Sequence, residues 1–288
     1  MKKIIFVFLV LFSSLFAANE KKVPEVVPVS WIKENFNNPN LVIVDLREKS
    51  EFEKGHIKGA VNMPGLESLF EKDTWMIPKL DILKELFSNA GINQDSLVVA
   101  YDNGDFFWAA RLYWILEVFG HENIGLSKYS YGKYMQDNLP ITTEISKPIR
   151  KEFIPRVDNS QIETKLSTLM AIGKKTIIDG REKSHYDGID SIAKRFGHIP
   201  TAKHYPCTDN FQVSKDGNYM KEFDDLEKVY KDLPKDKDIL LYCQGGAQSA
   251  LNYIVLKKLG FKASVYDGSW KEWGNDNNVP VENPSKIQ

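Results

Sequence analysis

Apolar positions along this chain fall into two kinds of run. Short runs rich in Val, Ile and Leu stand at 41–45 (Leu-Val-Ile-Val-Asp), 96–101 (Ser-Leu-Val-Val-Ala-Tyr) and 238–242 (Asp-Ile-Leu-Leu-Tyr). Continuous apolarity over so few residues, bounded by polar or turn-forming neighbours, predicts strands covered on both faces. Longer stretches with helical spacing at 82–89 and 108–118 predict helices between them. Alternation of this kind predicts an α/β architecture in which a mostly parallel sheet is covered by helices. In such sheets ligands gather outside the carboxyl ends of the strands.

The pattern occurs twice. Leu41-Val-Ile-Val-Asp-Leu-Arg-Glu-Lys-Ser50 returns as Lys175-Thr-Ile-Ile-Asp-Gly-Arg-Glu-Lys-Ser184, and Gly55-His-Ile-Lys-Gly-Ala-Val-Asn-Met-Pro64 returns as Gly197-His-Ile-Pro-Thr-Ala-Lys-His-Tyr-Pro206. Residues 97–101 match 238–242, and 112–119 match 251–259. The offset grows from 134 to 142 between the first two blocks, which places an insertion around 187–195 in the second copy. A repeat of this length implies two domains. Their expected limits are 24–147 and 157–284, with the Pro-bearing, mixed-charge stretch 148–156 as linker.

The amino terminus has a different character. Lys2 and Lys3 precede an apolar core at 4–12, and small residues follow at Ala17 and Ala18. These are the three parts of a secretory signal peptide, expected over 1–18, and the core is short for a membrane span. An uncleaved anchor is the alternative, because Leu15 or Phe16 would occupy the usually small position before the cut. The expectation is export to the periplasm without stable membrane association after cleavage. The 288 residues are 42% hydrophobic and 27% charged with a net charge of −1, so nothing selects nucleic acid or an anionic membrane as partner.

Two cysteines in an exported chain are too few for a disulfide scaffold. Cys243 follows the strand 238–242 and opens the loop Cys-Gln-Gly-Gly-Ala-Gln-Ser249, after which helical spacing resumes. A strand exit, a short glycine-bearing loop and a helix start direct unpaired N–H groups and the positive end of the helix dipole to one point. Such surroundings favour a thiolate, so Cys243 reads as a nucleophile. A small buried hydrophobe is the bland alternative; Gly245 and Gly246, which allow a tight cradle, weigh against it. Gln248 and Ser249 are candidates for side-chain hydrogen bonds to a substrate or for starting the helix. Cys207 is either a resolving thiol, able to pair with Cys243, or a buried one. His56 and His198 hold equivalent repeat positions, which points to a shared structural hydrogen bond, and His204 lacks spaced partners for a metal.

In these residues the chain resembles the tandem-domain rhodaneses, the thiosulfate sulfurtransferases. Ala263-Ser-Val-Tyr-Asp-Gly-Ser-Trp-Lys-Glu-Trp273 looks like that family's C-terminal signature, and residues 52–63 are similar to its early signature, with Lys58 where proline is usual. The resemblance implies two tandem rhodanese-like domains, each a mostly parallel sheet flanked by helices, the first catalytically silent and the second catalytic. It implies that Cys243 carries sulfane sulfur as a persulfide, moving it from thiosulfate or polysulfide to cyanide or a thiol, without metal or organic cofactor. Gln244, Gly245, Gly246, Ala247, Gln248 and Ser249 would bind the substrate through their amides. Arg111 matches a family arginine that reaches toward the cysteine; an arginine on a helix surface is the competing reading. Opposite Cys243 the first copy has Asp102, which cannot carry a transferable sulfur.

The uncharged loop is a departure, since many relatives have a basic residue there, and a dianion gains less from glutamines than from arginine. Phosphatase chemistry on a related fold needs an arginine where Ser249 stands. The serious rival is a sulfur carrier loaded by a partner protein and turning over no small donor. A small donor and acceptor, and a sulfur-accepting protein, are the partners expected.

Overall fold

The computed structural model describes residues 23–136 and 139–286. The stretch read as a signal peptide lies outside them. Two five-stranded sheets, parallel throughout, form the two halves. The first runs Val26–Val27, Ile124–Ser127, Leu97–Tyr101, Leu41–Asp45, Val61–Asn62. The second runs Ile162–Glu163, Ala263–Tyr266, Ile239–Tyr242, Thr176–Asp179, Lys203–His204. The orders correspond strand for strand, so the sequence repeat is a repeat of topology.

Each half is pinned by the same buried polar cluster. In the first, Asp45 receives the Arg47 guanidinium (2.6 Å) and the Tyr101 hydroxyl (2.5 Å), Arg47 also donates to the Gly55 carbonyl, and Tyr101 accepts from the Ile57 amide. In the second, Asp179 receives Arg181 (2.5 Å) and Tyr242 (2.6 Å), Arg181 donates to the Gly197 carbonyl, and Tyr242 accepts from the Ile199 amide. All six side chains are buried. A buried ion pair is tolerated when further hydrogen bonds satisfy its remaining groups, and the aspartate, arginine and tyrosine do that for one another. The Asp-x-Arg repeat seen in the sequence is therefore a structural device.

The helices Phe107–Val118 and Ala247–Lys258 pack on each other across the junction, and one continuous core runs through both halves. The first of these helices is apolar nearly all round, as a helix buried on every side must be. Its two charged residues, Arg111 and Glu117, are both buried and both pair with the second half, with Asp267 and Lys257. Residues 148–156 contain no helix or strand and lie against the first half, where Lys151 and Phe153 donate to Ser88 and Arg156 to Phe119. The insertion of the second copy folds onto the C-terminal signature: Ser191 accepts from the Trp270 indole and Arg195 bonds the Gly274 carbonyl.

Candidate active site

Cys243 is the first residue beyond the strand Ile239–Tyr242, and its backbone is stitched to the C-terminal signature. Its N–H donates to the Ser269 hydroxyl (3.2 Å), and its carbonyl accepts from Trp270. Ser269 is itself oriented by donating to the Tyr266 carbonyl. The Gln244 carbonyl accepts from Lys271. Three residues beyond Cys243, Gly246 caps the helix Ala247–Lys258 with φ +86°, a left-handed conformation that favours glycine. This turn folds the loop back over the thiol. The Gly246 amide donates to Cys243 Sγ (3.1 Å), and the Ser249 hydroxyl, one helical turn further, approaches it at 3.4 Å. First-turn amides of the helix have no partner within it, and the sulfur lies at that end of the helix with the Gly246 amide directed at it.

Arg111 lies directly behind this loop. A Cβ on Gly246 would stand 2.3 Å from Arg111 Nη1, so the glycine is required by its neighbour as well as by its backbone. Nη2 donates to Asp267 Oδ1 (2.8 Å), whose other oxygen accepts from the Ile77 amide (2.8 Å). The guanidinium is stacked on Phe70 and Trp114, and its Nε and Nη1 have no hydrogen-bond partner. Arg111 is fully buried, which overturns the reading of it as a helix-surface arginine. It comes from the first half and stands under the loop of the second.

Above Cys243 opens a cavity of about 290 Å³. The second half contributes Cys243, Gln244, Gly245, Ala247 and Gln248; the first contributes Leu66, Phe70, Trp75, Phe107 and Trp108. Trp75 lies on Gly245, where a Cβ would meet its ring at 2.9 Å. Gln244 and Gln248 keep an unpaired side-chain oxygen each and neither caps the helix, so they belong to the cavity. Ser249 and Gly246 serve the thiol from behind and do not line it.

The whole first-half wall escaped sequence reasoning, as did Asp267 and Ser269. Asp267 and Ser269 sit inside the C-terminal signature, a signal that had been read only as a family mark. Trp270 and Trp273 are buried in the core. His56 and His198 each place Nδ1 against a backbone carbonyl, of Phe52 and Tyr186, and stack on those same side chains. Cys207 is buried, and desolvation, with Cys243 nearby, pushes its thiol well above the ordinary range; both cysteines are free thiols. No cluster of metal-ligating side chains occurs among the described residues, and no helix among them is long and apolar enough to cross a membrane.

The description "Rhodanese-like domain" matches the chain twice, over residues 28–137 and 163–276. A thiosulfate sulfurtransferase of Corynebacterium glutamicum is 31% identical over 277 residues, covering 89% of this chain and 90% of that one. The sulfur carrier protein TtuD of Thermus thermophilus is 31% identical over 283 residues, with 90% and 96% covered. Among solved structures, SseA of Escherichia coli, described as a 3-mercaptopyruvate sulfotransferase of rhodanese fold, superposes with TM-score 0.74 at 25% identity over 86% of this chain and 99% of that one. The anaerobic ergothioneine biosynthesis enzyme of Chlorobium limicola shares the fold, with TM-score 0.80, 21% identity and coverage of 90% and 70%.

Proposed function

We propose a function from one premise: the chain belongs to the rhodanese family and is a sulfurtransferase. In the proposed cycle the Cys243 thiolate attacks the outer sulfur of a donor such as thiosulfate. The Sγ–S bond forms, the S–S bond of the donor breaks, and sulfite leaves with the electron pair. The terminal sulfur of the resulting persulfide then passes to a thiophilic acceptor, cyanide giving thiocyanate or a thiol giving its own persulfide, and the Cys243 thiolate returns. Polysulfide is the alternative donor, and no cofactor enters the cycle.

The observation that carries this reading is Cys243 Sγ held by the Gly246 amide and the Ser249 hydroxyl at the floor of a cavity walled by both halves. Preorganised donors of this kind stabilise charge that moves onto sulfur during transfer. Gln244 and Gln248 are assigned to the substrate's polar atoms, and Arg111 to holding the loop at Gly246. In this assignment the chain divides into a signal peptide at 1–18, a silent domain at 24–147, a linker at 148–156 and a catalytic domain at 157–284, acting in the periplasm. TtuD, named as a sulfur carrier, supports a second reading in which a partner protein loads Cys243 and no small donor turns over.

Intact-mass analysis of the protein after thiosulfate or polysulfide, then cyanide, tests both. A gain of one sulfur that cyanide removes, absent in Cys243→Ser, is the expected result. Loading that persists in Cys243→Ser removes the mechanism, and loading without repeated turnover selects the carrier.

A further inference from the structure

Every first-half residue that walls the Cys243 cavity is apolar: Leu66, Phe70, Trp75, Phe107 and Trp108. Four of them are aromatic. Apart from the reacting Cys243 thiolate, no side chain lining the cavity carries a charge, and the other polar side chains on the opposite wall are the neutral carboxamides of Gln244 and Gln248. The nearby cations are directed elsewhere. Arg111 is buried behind Gly246 and paired with Asp267, and Lys271 lines a separate cavity beside Asp73 and Glu272 while stacking on the Trp75 ring.

An inorganic dianion entering this space would lose water without gaining a counter-charge. A donor with an apolar substituent on its sulfur would gain from the same walls, because ring faces and apolar surface leave water together. From this lining we infer that the preferred donor is an organic sulfane-sulfur compound with an apolar or aromatic group, such as an aryl thiosulfonate or an organic persulfide. The inference rests on the sulfurtransferase reading and narrows its substrate class. With an aryl thiosulfonate the Cys243 thiolate takes the terminal sulfur, the bond between that sulfur and the sulfonyl sulfur breaks, and the aryl sulfinate leaves with the electron pair. The ring occupies the wall formed by Trp75, Phe70 and Trp108.

The test compares benzenethiosulfonate, methanethiosulfonate and thiosulfate as donors to the full-length protein. Each kcat/KM for Cys243 loading is divided by the same donor's rate with free cysteine, which removes intrinsic reactivity. The expected order places benzenethiosulfonate about tenfold or more above the other two. Trp75→Ala lowers the benzenethiosulfonate value by about tenfold and changes methanethiosulfonate by about twofold or less. Leu66→Lys, at a half-exposed position that tolerates the change, raises thiosulfate loading relative to benzenethiosulfonate. Thiosulfate as the best donor, or a ring preference that survives Trp75→Ala, overturns the inference while leaving sulfur transfer intact. Failure of all three donors to load a protein with a free Cys243 overturns the small-donor reading beneath it.

Discussion

Asp102 and Cys243 occupy the same point of a duplicated frame. Each is the first residue after the central strand of its sheet, and each lies beneath the start of a buried helix. In the first half the loop spends its amides on the protein itself: the Asp102 carboxylate accepts from the N–H groups of Gly104 (2.8 Å), Phe106 (3.1 Å) and Ala109 (3.2 Å). In the second half the same cradle holds a thiol. Even the turn is shared, with Phe106 at φ +61° where the Cys243 loop has Gly246 at +86°. The cradle thus comes with the frame, and the residue at its centre decides whether it holds a carboxylate or a thiol.

Each half also covers the other's loop. The hairpin of Phe211–Gln212 and Tyr219–Met220 carries Asn218 onto Gly104 and Ser130, sealing the Asp102 side. On the opposite side Trp75 lies over Gly245 but leaves the cavity above the thiol. Where the second half has Cys243 the first has Asp102, and the first half supplies one wall of the cavity above the thiol.

If the frame is equivalent in both halves, damage to it costs the same in either. Asp45→Ala and Asp179→Ala each strand a buried arginine and a buried tyrosine hydroxyl, an expected loss of about 3–5 kcal/mol. Urea unfolding monitored by circular dichroism, with Asp→Asn companions for any variant that folds poorly, measures both. Costs that differ by more than about 2 kcal/mol would break the equivalence, since measured contributions of one kind scatter by about that much.

The Asp102 loop carries a cost at neutral pH. Burial raises the Asp102 carboxyl from 3.8 to about 6, against the opposing pull of its three amide hydrogen bonds. Between those values the folded protein binds a proton that the unfolded chain has released. The stability Asp102 contributes is therefore fully present below about pH 4 and lost as the pH rises through about 6, a change of about 3 kcal/mol. Asp102→Asn removes that titration. The stability of the parent minus that of the variant should fall by about 2.4 kcal/mol from pH 4 to pH 7, read from urea midpoints. A difference that stays flat across this range means that the carboxyl does not carry the cost.

What the sequence disclosed follows the same division between local and distant. The strands at 41–45 and 239–242, the repeat and the loop opened by Cys243 were legible because each is written in consecutive residues. The helices predicted at 82–89 and 108–118 run Leu80–Asn89 and Phe107–Val118, starting two residues and one residue earlier. Arg111 was placed near the site by resemblance alone, because its partner Asp267 is 156 positions away. Trp75 was missed altogether. It sits in a polar stretch without periodicity, and its importance comes from Gly245 in the other half. A wall assembled across two domains leaves no spacing pattern in either one.

The finest difference between the loops is a single hydroxyl. Counted from the residue that caps each helix, Ser249 corresponds to Ala109, so Ser249→Ala gives the Cys243 loop the first half's residue there. The shared donor remains: the Gly246 amide on Sγ corresponds to the Phe106 amide on Asp102. What is lost is one hydrogen bond, 3.4 Å long and buried, of a kind worth about 1 kcal/mol. If that bond strengthens as charge moves along the new S–S bond, loading of Cys243 slows about fivefold and stability changes little. Stopped-flow loading with a single donor measures the rate. An unchanged rate would assign the charge-holding role to the amides alone, and the two loops would then differ in their central atom and in nothing else that matters to sulfur.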